Sequence, residues 1–261
     1  MQNHKILKKI TLLSLIASSL ALSACGHNIK SSIKSNKLIN TQNKNFETKN
    51  KKTNYINKKT TRANPYNNNN QQSQKNSQTI NAHLTLAKAQ LDNKQWQSAQ
   101  KNLLKAQNLN PKNAMTQSYL GFYSQQVGET KQAQIYYKKA LSLSPNNPEI
   151  LNQYGVFLCK QNDFTQAIKT FDKAIRHKSF TQLYLAYQNK GLCLYKKLNS
   201  SKITLDSKNS KSSKKIKRDI KRSLLAAIKH NKGLALSYLT LAELEYKDKH
   251  FKKSYNYLKE F

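Results

Sequence analysis

Self-similarity at a spacing of 34 residues constrains this chain more than any other feature. Leu86-Ala87, Leu120-Gly121 and Tyr154-Gly155 stand 34 apart, as do Ala99, Ala133 and Ala167. The same spacing links Leu103, Tyr137 and Phe171, and again Ala106, Ala140 and Ala174. Glycine or alanine where two antiparallel helices cross lets their backbones approach closely, and a Leu or aromatic residue fills the space beside them. Pro111 and Pro145 close the first two periods, because proline cannot continue a helix. A unit of this size cannot bury its apolar face alone, so neighbouring units must stack.

This pattern resembles the tetratricopeptide repeat, a 34-residue helix–turn–helix with small residues at positions 8, 20 and 27 and proline at position 32. On that resemblance Gly121, Ala133, Ala140, Gly155, Ala167 and Ala174 are packing positions. A fourth unit starts two residues late, with Tyr187, Gly191 and Leu194 in its first helix. Its second helix resumes at Ile220, Leu224 and Ala227, so a Lys/Ser-rich insertion at about 199–215 reads as a disordered surface loop. A fifth unit follows from Ala235 through Tyr238, Leu241-Ala242, Phe251, Ser254 and Leu258. The expected fold is all-α: a right-handed superhelix of about five helix pairs over residues 80–261, after a disordered N-terminal tether.

Composition bounds the rest. The chain has 261 residues, 46 Lys or Arg against 12 Asp or Glu, and a formal charge of +34. Apolar residues make up 37%, which excludes one packed globule from end to end. Six Gly and four Pro argue against a turn-rich β-fold, and three Cys against a disulfide scaffold. At the N-terminus, Lys5, Lys8 and Lys9 precede an apolar run from Ile10 to Leu22. Thirteen helical residues reach roughly 20 Å, short of a hydrocarbon core of roughly 30 Å, so the run reads as a secretory signal over 1–24.

The run ends in Leu22-Ser23-Ala24-Cys25-Gly26, which resembles the bacterial lipobox. That resemblance implies cleavage between Ala24 and Cys25 and fatty-acyl (palmitate) chains on Cys25; an ordinary signal peptide with a chance Cys is the alternative. Several acyl chains anchor stably where one is marginal. Gly26 stands where a retention Asp often does, which by the same resemblance implies the periplasmic face of the outer membrane. Residues 25–79 then read as a polar tether, with eleven basic residues and one acid, Glu47, between Gly26 and Ile80. About 53 such residues span on the order of 40 Å as a flexible coil. Its charge has two readings, attraction to anionic surfaces or the Lys/Asn bias of an AT-rich genome.

The repeat resemblance also places positions 2, 5, 9 and 12 of each first helix on a partner-binding groove. These are Asn81, Leu84, Lys88 and Leu91; Met115, Ser118, Phe122 and Gln125; Glu149, Asn152, Val156 and Cys159; and Leu185, Gln188, Leu192 and Tyr195. The alternative for Phe122, Val156 and Leu192 is packing between neighbouring units. More discriminating is the helix Leu151-Asn152-Gln153-Tyr154-Gly155-Val156-Phe157-Leu158-Cys159, followed by Gln188-Asn189-Lys190-Gly191-Leu192-Cys193. With the lipobox, these segments resemble the type IV pilus biogenesis lipoprotein family PilW/PilF, in which Gly191 continues the packing positions.

Several expectations rest on that family resemblance. It implies a disulfide between Cys159 and Cys193, with two buried free thiols as the alternative. It also implies an outer-membrane pilotin that binds the pilus secretin and promotes its localisation and multimerisation. A generic periplasmic scaffold for envelope complexes is the competing reading. The residues themselves offer no chemistry for an enzyme. The six His make no metal-spaced pair, and no phosphate-binding loop or nucleophile elbow is present. No cofactor beyond the lipid on Cys25 and no specific nucleic acid is expected, despite the charge.

Overall fold

The computed structural model describes residues 65–177, 179–200 and 210–260. The signal segment, Ala24, Cys25 and the tether up to residue 64 lie outside the described residues, as do 201–209 of the insertion. Among the described residues there are ten α-helices and no strand. They form five successive pairs: α1 (Pro65–Asp92) with α2 (Trp96–Leu109), α3 (Ala114–Gln126) with α4 (Thr130–Leu143), and α5 (Pro148–Lys160) with α6 (Phe164–Ile175). Then come α7 (Leu183–Ser200) with α8 (Lys211–His230), and α9 (Ala235–Lys247) with α10 (Phe251–Glu260). The fold is thus all-α, built of tetratricopeptide-type helix pairs.

Two compact units share the described residues, 65–139 and 140–260, with the boundary inside α4. In the first, Ile80, Leu84, Ala87 and Leu91 of α1 close on Ala99, Leu103 and Ala106 of α2 and on Tyr119 and Leu120 of α3. In the second, Leu151, Ala174, Phe180 and Ala186 form one cluster, and Leu194, Ile220, Leu224, Leu241 and Leu244 another. Burying a side chain the size of Leu or Phe contributes about 1.5–3 kcal/mol each, so these clusters carry much of the stability. Ala133, Ala140, Ala167 and Ala174 have no exposed surface, and Gly121, Gly155 and Gly191 are buried. At Gly155 an added Cβ would lie 2.7 Å from the Phe171 ring, and at Gly191 2.5 Å from Leu224 Cδ2. Both positions need the missing side chain for helices to touch.

Helix starts follow from short polar caps. Asn113 accepts a bond from the Thr116 amide, Asn147 from Glu149 and Ile150, and Asp163 from Gln166. Pro148 sits in the first turn of α5, where its missing N–H costs nothing. In every pair but the fourth, which carries the insertion, the connecting turn is three residues long and its middle residue takes a left-handed conformation: Lys94 (φ 58), Gly128 (φ 86), Asn162 (φ 65) and Lys249 (φ 63). In each turn the next residue's amide donates back to the carbonyl five residues earlier, as from Gln95 to Gln90 and from His250 to Glu245. This Schellman closure satisfies carbonyls that the helix end leaves open. A side chain at such φ costs roughly 1–2 kcal/mol, partly offset by glycine's freedom in the unfolded chain. Lys94→Gly should therefore raise stability by about 0.5–1 kcal/mol in urea titration; a loss would mean the lysine stem packs usefully.

Two boundaries differ from those read in the sequence. Helix α1 begins at Pro65, so residues 65–79, assigned above to the tether, are helical. Asn, Gln and Lys are tolerated in a helix, and proline suits its first turn. Residues 71–75 are solvent-exposed, and the first buried residue described is Ile80. The second correction concerns the insertion. Helix α8 starts at Lys211 rather than near Ile220, capped by Ser210, and Ser213 is buried while Ile216 packs on the Leu194–Leu224 cluster. Residues 211–215 are thus part of a docked helix and not a loop.

Candidate protein-binding site

The first helices of successive pairs carry the candidate site. In the 140–260 unit these are α5, α7 and α9. Cys159 and Cys193 are disulfide-bonded, with Cα atoms 5.8 Å apart, and so join α5 to α7. One and two turns away, the same two helices exchange a buried hydrogen bond in which Asn189 Nδ2 donates to Asn152 Oδ1 at 3.1 Å. Gln188 Nε2 donates to Ser237 Oγ at 3.0 Å, tying α7 to α9. Lys196 Nζ donates to the carbonyls of Cys159 and Lys160 at 3.2 and 3.3 Å. That places a cation at the negative end of α5, where the dipole favours it. Burial lowers the Lys196 pKa from its ordinary value.

These contacts revise the expected lining. Asn152 and Gln188 are interior residues that glue helices together, and Leu84, Leu91 and Ser118 are buried as well. Position 5 of these first helices, and position 12 at Leu91 and Cys159, faces neighbouring helices rather than solvent, which explains the error. Val156, Leu192 and Tyr195 are half-buried in the 140–260 unit, while Lys88, Met115, Phe122 and Gln125 are half-buried in the other. Met115 and Phe122 pack against the core of their unit, and both amide atoms of Gln125 are buried without a hydrogen-bond partner. The equivalent positions of the fifth pair were missed. They are Leu236, Leu239, Glu243 and Tyr246, all half-buried, and the repeat register alone locates them.

Tyr195 is the best-defined polar point of this surface. Lys247 Nζ donates to its hydroxyl oxygen at 2.8 Å and to Glu243 Oε1 at 2.9 Å, and lies 5.1 Å from the ring centroid. Burial, then hydrogen bonding to Glu243, pushes the Tyr195 pKa up to about 12, against the opposing pull of Lys247. A phenol this weakly acidic stays protonated at neutral pH and is a poor base. The arrangement suits contact with a partner: half-buried Leu and Tyr side chains give area, and a charged rim gives orientation. Among the described residues no group of three or more His, Cys, Asp or Glu is placed to hold a metal.

A second charged cluster supports α8, α9 and α10. Glu245 is nearly inaccessible, 2% exposed, and its two oxygens meet Lys221 Nζ at 2.6 Å and His250 Nδ1 at 2.8 Å. Burial alone would raise its pKa, but the bonds from Lys221 and His250 outweigh this and hold it below the usual carboxylate value. A carboxyl whose folded pKa is depressed stabilises the protein above its unfolded pKa, about 4.3. That stability is lost as pH falls through the folded value. Urea titrations between pH 6 and 3 should show a steeper acid loss in the native chain than in Glu245→Gln; parallel curves would remove Glu245 as a cause.

Comparison with known proteins addresses the whole arrangement. Tetratricopeptide-repeat profiles match residues 120–147 and 136–169. The solved structure of Pseudomonas aeruginosa PilF superposes with a TM-score of 0.59 at 22% identity, over 71% of this chain and 76% of that one. PilW, described as a widely conserved type IV pilus biogenesis factor, gives 0.58 at 22%, over 70% and 76%. The fold is PilW/PilF-like. Among curated sequences, an uncharacterized protein of Haemophilus influenzae is 31% identical over 114 residues, 44% of this chain and 64% of its own length. Protein adenylyltransferase Fic of Nematostella vectensis is 30% identical over 122 residues, 28% of its length. The chain therefore matches less than two thirds of either curated relative. Within the PilW/PilF-like fold, the helices joined by the disulfide, α5 and α7, are those bearing the Asn-Gln-Tyr-Gly and Asn-Lys-Gly-Leu segments.

Proposed function

We propose that this chain is a type IV pilus biogenesis factor, anchored by lipid on Cys25 to the periplasmic face of the outer membrane. In this reading it binds the pilus secretin and promotes its localisation and multimerisation, which supports pilus assembly. The supporting observation is the PilW/PilF-like fold across about 70% of the chain. The lipid sets the location, the segment after Cys25 gives reach, and the half-buried faces of the first helices supply specificity. Confinement to one membrane raises the effective concentration of the solenoid for partners there.

The decisive test is deletion of the gene followed by blotting of outer-membrane fractions, unheated in detergent, for secretin multimer and monomer. Multimer should vanish or stay at the inner membrane while monomer persists. Cys25→Ser should reproduce that loss. Intact rings in both strains would leave a scaffold for other envelope complexes as the better reading. Phe122 is a poor interface probe, because it packs against the core of its unit. Leu239→Asp, on the half-buried face of α9, should weaken secretin pull-down about tenfold with unchanged circular dichroism.

A further inference from the structure

The basic residues of the insertion acquire a defined setting once α8 is seen to begin at Lys211. Its first turns form one wall of an open cleft of about 1070 Å³, and the α9–α10 turn forms the other. Every lining side chain except Asp248 is Lys, Arg or His. Two described acids at the cleft are already engaged: Asp248 pairs with Lys217, and Glu245 with Lys221 and His250. Lys211, Lys214, Lys215 and Arg218 on α8, and Lys249 on the turn, have no carboxylate partner among the described residues.

A cleft lined by one sign of charge concentrates its field and draws in counter-ions. The placement is also costly for the free protein. Lys211, Lys214 and Lys215 crowd the positive end of the α8 dipole, and the first turn has no acid. The helix cannot swing away to relieve this, because Ser213 and Ile220 are buried on its other side. A bound anion removes both repulsions at once.

We propose that this cleft binds a polyanion carrying two or more phosphate groups. Seven residues separate Lys211 from Arg218, a rise of about 10 Å, so the ligand must carry charge over a comparable length. The lining holds no Phe, Tyr or Trp for stacking bases, its one ring, His250, is tied to Glu245, and no apolar side chain lines it to take a peptide side chain, which leaves charge density as the basis of recognition. Lysine, a compact point charge, outnumbers arginine, so the cleft offers concentrated charge rather than planar forks, and a phosphate group packs more negative charge into its volume than a carboxylate does. The phosphates could belong to a soluble polyphosphate or to clustered lipid headgroups, and the proposal is independent of the secretin assignment.

The full chain is titrated calorimetrically with tripolyphosphate at about 150 mM salt, and in parallel mixed with phosphatidylcholine vesicles with and without phosphatidic acid. Lys214→Glu/Arg218→Glu alters two exposed cleft residues; Lys169→Glu/Lys173→Glu alters two exposed residues of α6 by the same charge. Circular dichroism checks that both remain folded. A loss of about tenfold or more in the cleft variant alone supports the proposal. A loss seen with tripolyphosphate assigns a soluble source, and one confined to phosphatidic-acid vesicles assigns the headgroup. Equal losses in both variants, no saturable binding to either probe, or equally tight cleft-dependent binding of poly-glutamate would overturn it.

Discussion

Cys193→Ser should lower stability by about 3–4 kcal/mol and the melting temperature by roughly 10 °C. The bond closes a loop with a sequence separation of 34 residues, and the chain-entropy estimate for a loop of that length gives this loss. The rest of the α5–α7 contact survives, since the Asn189–Asn152 bond and the Lys196 cap do not depend on sulfur. The variant should therefore unfold at lower temperature without losing helical content below the transition. Dithiothreitol should shift the native chain by the same amount and leave Cys193→Ser and the double serine variant unmoved. A native melting curve indifferent to reductant would show that the bond contributes nothing to stability.

Gly155→Ala tests the close approach of α5 and α6. On an exposed helix, replacing glycine by alanine stabilises by up to about 1 kcal/mol. Here the new Cβ would lie 2.7–3.0 Å from three atoms of the Phe171 ring, itself fully buried. Overpacking of that kind costs about 1–3 kcal/mol, so strain should reverse the usual sign. Phe171→Leu removes the ring edge, and in that background the alanine should become neutral or favourable. A stabilising Gly155→Ala in the native background would mean the helices separate easily, and the missing side chain would lose its structural meaning.

The helix pairs were legible because their packing demands recur. Ala99, Ala133 and Ala167 fall where only a small residue fits, and Leu103, Tyr137 and Phe171 fall where a large one is needed. The complement is local: the rings of Tyr137 and Phe171 lie over Gly121 and Gly155, and the smaller Leu103 goes with Ala87. The turns were less visible. The left-handed residue is Gly once, Asn once and Lys twice, so backbone geometry is kept while its residue signature is not. The start of α8 was hidden for a related reason, because a Lys/Ser tract reads as solvent-loving whether it is coil or the outer face of a docked helix.

Surface assignment was harder than fold assignment. A register position states where a side chain leaves its own helix, but the neighbouring helix decides whether it meets solvent. Asn152 and Gln188 share positions with expected partner contacts, yet each finds its hydrogen bond inside the protein. Conversely Leu236, Leu239, Glu243 and Tyr246 follow from the same register, and Glu243 and Lys247 give Tyr195 a setting that a single helix cannot reveal.

The sulfur bridge also changes how this chain carries tension. A pull entering along the backbone at Cys159 leaves at Cys193 through a path of two side chains, so the intervening residues bear none of it. Some 34 residues, about 115 Å of extended chain, are removed from the length that force can draw out. Helix α6 lies wholly inside that shielded stretch, with the first half of α7. A load at either end therefore meets a covalent clasp across one repeat, and the extension available before rupture is correspondingly shorter.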